Sequence, residues 1–71
     1  GFYIPIESWL KNELREKVNY YFDKNYISNQ NIFDFNKINK LKNDYYNSNV
    51  NYNVIIWNIL IFQMWYEEYL T

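Results

Sequence analysis

The side chains of this 71-residue chain that could move protons are eight carboxylates: Glu7, Glu13, Glu16, Asp23, Asp34, Asp44, Glu67 and Glu68. General acid and base work needs two such groups converging on one reacting atom. Glu67 and Glu68 are neighbours in sequence, and on a helix adjacent positions diverge instead of converging. The chain has no His and no Cys, so a transition-metal centre would lack its usual nitrogen and sulfur ligands. Ser8, Ser28, Ser48 and Thr71 likewise have no imidazole to activate them as nucleophiles. The single glycine is Gly1, which rules out a glycine-rich loop around a phosphate. Residue types alone therefore point to helix caps and solvated faces, and no catalytic residue is assigned.

Aromatic residues make up 24% of the chain, enough to raise the question of base stacking on single-stranded nucleic acid. The rings fall at helical core spacing and the net charge is −1, so neither nucleic acid nor an anionic lipid surface is an expected partner. The apolar run from Val54 to Tyr66 is shorter than the roughly 20 residues of a membrane span and carries Asn58 and Gln63. No membrane partner is expected either. No basic stretch followed by a short apolar segment and a small-residue cleavage site opens the sequence, so no signal peptide is expected and cytoplasm is the default compartment. A chain this short gains only roughly 3–5 kcal/mol from its core without disulfides or a metal, and this one is expected to fold while seeking a partner.

Apolar spacing predicts an all-α fold of three main helices, about 6–22, 35–46 and 53–69, in one domain spanning 1–71. The first follows Pro5, whose fixed φ suits a first turn, and sets Ile6, Trp9, Leu10, Leu14, Val18, Tyr21 and Phe22 on one face with a kink near Asn12. Glu7 with Lys11 and Glu13 with Lys17 have the spacing of helical ion pairs. Residues 24–31 read as a polar connection anchored by Tyr26 and Ile27. Asp34 is a helix cap, with Phe33 placed to pack on Ile38, and Phe35, Ile38, Leu41 and Tyr45 face inward. Asn47 to Asn51 read as a loop. The last helix is apolar on nearly every side, interrupted by Asn58 and Gln63, and two short helices can cover only about half of it. The remainder implies contact with more protein or with a second copy, a homodimer through the 53–69 helix. Trp57 and Trp65, eight residues apart, lie on roughly one face; packing inside a core is the weightier expectation for them, and an interface the other.

Two stretches carry a resemblance to a known family. Gly-Phe-Tyr-Ile-Pro-Ile-Glu-Ser-Trp-Leu at 1–10 resembles the GF-x-x-P-x-x-x-WL stretch, and Trp-Asn-Ile-Leu-Ile-Phe-Gln-Met-Trp at 57–65 resembles the LW-x-L-L-x-x-x-x-W helix, near the C-terminus of glutamine-hydrolysing asparagine synthetases. Ile32-Phe33-Asp34 resembles the start of that family's penultimate helix. The resemblance implies a C-terminal helical segment of a larger α/β synthetase domain, accompanied by a glutaminase domain whose Cys nucleophile releases ammonia. In that family ATP and Mg2+ activate a carboxylate as an acyl-adenylate, which ammonia converts to the amide with release of AMP and pyrophosphate. Aspartate is the commonest acceptor, although β-lactam synthetases, lasso-peptide cyclases and amidotransferases of sugar acids share the architecture. The family's phosphate-binding S-G-G-x-D-S loop has no counterpart here, and its transition-state Lys is expected two positions before Gly1. By this resemblance Gly1 and Phe2 flank the active site, Pro5, Trp9, Trp57 and Trp65 are structural, and no catalytic residue or cofactor site falls within the 71 residues.

Overall fold

The computed structural model describes residues 4–71, all of whose regular structure is helical. Five helices follow in order: α1 (Ile6–Lys11), α2 (Arg15–Tyr21), α3 (Lys24–Gln30), α4 (Phe35–Asn47) and α5 (Asn53–Leu70). The all-α expectation holds, but the first of the three expected helices is two helices, and the connection after it is another.

Asn12 is where 6–22 breaks. Its side-chain amide and its backbone N–H both donate to the Ser8 carbonyl, at 2.9 and 3.0 Å, a local bond to the preceding turn of the kind that bends or ends helices. Its backbone leaves helical space at φ −124°, ψ −87°. The Leu14 N–H then reaches five residues back to the Trp9 carbonyl at 2.7 Å, and α2 starts as a separate helix at Arg15. The break removes one of the expected ion pairs. Lys11 meets Glu7 at 3.4 Å, but Glu13 falls in the turn and loses its register with Lys17. The other ion pair among the described residues is Lys40 with Asp44, at 2.8 Å along α4.

The segment 24–31, expected to be an irregular connection, is α3 because both of its ends are capped. The Asp23 carboxylate accepts from the Asn25 and Tyr26 N–H groups at 3.0 and 3.4 Å. Asn31 closes the helix in the left-handed region at φ 60°, a conformation Asn tolerates better than most residues. Asp34 performs the same service for α4, accepting from Asn36 and Lys37 at 2.8 and 3.3 Å, as the sequence predicts. Asp23→Ala and Asp34→Ala should each lower stability by about 1 kcal/mol. Urea titration followed by circular dichroism measures both, and Asp23→Asn should recover most of the loss.

Leu10, Val18, Tyr21, Phe22, Ile27, Ile38, Tyr45, Ile56 and Leu60 form the core, drawn from all five helices. Two tyrosines of α4 tie it to the first half of the chain. The Tyr46 hydroxyl donates to the Leu10 carbonyl at 2.7 Å, and Arg15 lies 4.7 Å from the centre of its ring. Burial pushes the Tyr46 hydroxyl up to about 12. The Tyr45 hydroxyl donates to Asn53 Oδ1 at 2.6 Å while Lys11 stands 5.0 Å over its ring. Gln63 of α5 is fully buried: its amide exchanges hydrogen bonds with Gln30 of α3 at 2.5 and 3.0 Å and also donates to the Tyr21 carbonyl at 3.0 Å. One polar clasp thus joins α2, α3 and α5.

Candidate functional site

Gly1 and Phe2, expected to flank an active site, lie outside the described residues. Pro5 is half-buried at the N-cap of α1, and its carbonyl accepts the Trp9 N–H at 3.0 Å, so it sets the start of the helix that carries Trp9. Trp9 packs on Trp57 with ring centres 6.1 Å apart and planes tilted by 41°. Trp65 does not join them. It remains 48% exposed, flanked along α5 by Phe62 and Tyr69 at 6.1 and 5.9 Å. Among the described residues Trp57 is partly buried against the core, and Trp65 lies outside it.

The reason is that four short helices cover only one side of α5. Ile56, Leu60 and Gln63 are buried, whereas Val54, Ile55, Ile61, Trp65, Tyr69 and Leu70 are exposed. Exposed single apolar residues are ordinary, but here a run of them along one helix lies beside an exposed Trp9 and makes a larger apolar surface. Part of that surface is concave. Trp9, Glu13, Leu14, Trp57, Leu60, Ile61 and Met64 line a cleft of about 350 Å³ between the α1–α2 break and α5. Glu13 is the one charged residue among them.

A polar cluster sits at the far end of α5. The Tyr20 and Tyr21 hydroxyls donate to the two oxygens of Glu67 at 2.7 and 2.5 Å, and Tyr20, Tyr21 and Tyr26 pack their rings 4.8–5.5 Å apart. Donation from Tyr21, then Tyr20, holds the Glu67 carboxyl below its ordinary value. The Tyr26 hydroxyl is buried without a partner among the described residues, and burial raises it, with the Glu67 charge adding to the effect. Glu67 is thus occupied as a hydrogen-bond acceptor. Glu68 is exposed. Among the described residues no group of His, Cys, Asp and Glu is placed to hold a metal ion, and no helix is long and apolar enough to cross a membrane.

The cluster predicts how stability responds to pH. A carboxyl lowered in the folded chain contributes stability above its ordinary value near 4.5, and this is lost as pH falls through the depressed value. The hydroxyls of Tyr20, Tyr21, Tyr26, Tyr45 and Tyr46 are raised, so the folded chain keeps protons that the unfolded chain releases near 10. Their contribution is complete below pH 10 and is lost as pH rises through each group's raised value, about 12 for Tyr46. Thermal melts across pH, with tyrosinate absorbance followed in parallel, should show both limbs. Glu67→Gln should flatten the acid limb and leave most of the alkaline one.

Sequence reasoning missed the Glu67 cluster and the Gln30–Gln63 clasp. A lone Gln within an apolar helix was a usable signal for the clasp, because a polar group in such a setting must find a partner. Adjacent tyrosines at 20 and 21 carried none. The chain matches no family model, no curated protein and no solved structure.

Proposed function

We propose that this chain is the C-terminal helical part of a glutamine-hydrolysing asparagine synthetase, an ATP-dependent ligase that converts aspartate to asparagine. In this reading the 71 residues perform no chemistry. They buttress a synthetase active site whose ATP, Mg2+ and catalytic residues belong to the rest of the protein, and a cytoplasmic location accompanies that role. Two things support the reading: the resemblance of residues 1–10 and 57–65 to that family's terminal motifs, and an apolar face on α5 that is left exposed among the described residues. The face carries the weight, since a buttress must present one surface to its own core and another to its neighbour.

Reconstitution tests it. An asparagine synthetase truncated before its corresponding terminal helices should regain aspartate- and ATP-dependent release of pyrophosphate when this chain is supplied. The isolated chain should show no heat of ATP binding by calorimetry. Failure to restore activity, with the added chain shown by circular dichroism to be helical, would remove the proposal.

The exposed Ile61 and Trp65 also favour a second reading, in which the chain is a self-standing helical module that dimerises through α5. Concentration-dependent dimerisation by sedimentation, abolished by Trp65→Asp, together with failed reconstitution, would select it.

A further inference from the structure

The cleft beside Trp9 has the form of a helix-docking groove. Its α5 wall is Trp57, Leu60, Ile61 and Met64, spaced as one face of a helix, and Trp9 and Leu14 close the opposite side. Its charge is one-sided. Glu13 sits in the α1–α2 turn, exposed and without an ion pair among the described residues. The cations flanking it in sequence are engaged elsewhere: Lys11 lies over Tyr45 and Arg15 over Tyr46, both on α4. Across the groove, α5 carries no Lys or Arg. A carboxylate at the lip of an otherwise apolar groove, with nearby cations turned to α4, favours an occupant that brings a positive charge.

We infer that this groove docks a basic amphipathic helix, one that seats a large apolar side chain between Trp9 and Met64 and sets an Arg or Lys one turn away against Glu13. The inference rests on the reading that the uncovered face of α5 packs on more protein, and it names the chemistry of the segment that packs there.

The probe is a synthetic amphipathic helix lacking Trp and Tyr, with Leu on one face and Arg flanking it, titrated against the chain while its tryptophan emission is followed. A matched peptide carries Glu in place of every Arg. The Arg peptide should shift the emission and bind more tightly than the Glu peptide, and Glu13→Gln should weaken it by about twofold to fivefold, the range of an exposed ion pair. Glu13→Lys should reverse the preference between the two peptides. Because Glu13 is exposed in a turn, circular dichroism should be unchanged by either replacement. Equal binding of both peptides to the unaltered chain, or binding that survives Ile61→Asp at full strength, overturns the inference. Reconstitution of ligase activity is read separately, so its success alongside failed peptide binding removes the groove assignment alone, and the converse removes only the family reading.

Discussion

Gln63→Ala is expected to cost about 2–4 kcal/mol, most of the roughly 3–5 kcal/mol that a chain of this size holds in reserve. The truncation leaves a hole among fully buried residues and strands two polar groups, the Gln30 side-chain amide and the Tyr21 carbonyl. Leaving a buried group unsatisfied is the larger part of the loss. Gln63→Leu separates the two contributions, since it fills the volume but still strands Gln30, and should cost about 1–3 kcal/mol. Replacing Gln30 and Gln63 together by Leu removes both partners, so the double variant should be more stable than Gln63→Leu alone. A double-mutant cycle in urea measures the coupling. Additive single effects would show that the clasp contributes nothing as a pair.

Tyr45→Ala is expected to cost about 3–5 kcal/mol, as does truncation of other large buried rings, and to leave little folded chain at 25 °C. Tyr45 is 1% exposed and joins three parts of the molecule: its hydroxyl holds Asn53 at the first turn of α5, its ring supports Lys11 of α1, and it meets the Tyr46 ring edge-on at 4.9 Å. Tyr45→Phe keeps the ring contacts and removes only the hydrogen bond, so its cost should be about 1 kcal/mol. Thermal melts distinguish the two readily, each kcal/mol being worth about 4–8 °C for a domain of this length. A Phe variant as damaging as the Ala variant would mean that the hydroxyl, and not the ring, holds α4 to α5.

Helix class, the Asp34 cap, the inward faces of α4 and the extent of α5 were legible because each rests on local chemistry or on a long periodic pattern. Ile38 and Tyr45 are buried as their spacing requires, and α5 runs one residue beyond its expected end. The split at Asn12 was only partly legible: the residue was marked as a kink, but an unbroken apolar stripe from Ile6 to Phe22 hid how far the backbone leaves the helix. α3 was missed because its seven residues have poor intrinsic helix preference, and it is held by Asp23, Asn31 and the burial of Ile27. That much of α5 is left uncovered was legible from its apolar run. The geometry of that surface was not, because the cleft needs the α1–α2 break to bring Glu13 and Leu14 against Ile61 and Met64. Contacts between residues some forty positions apart, such as Tyr21 with Glu67, leave no local trace.

The tail of α5 is a helix end with its charges reversed. Glu67 and Glu68 sit where carbonyl dipoles already concentrate negative potential, with no basic residue in that turn to offset it. Two tyrosine hydroxyls from α2 are what keep Glu67 in place. The molecule should therefore open from this end first, and amide exchange should run fastest from Tyr66 to Thr71 and quicken further in a Tyr20→Phe, Tyr21→Phe double variant, while Ile56 and Leu60 exchange only with global unfolding.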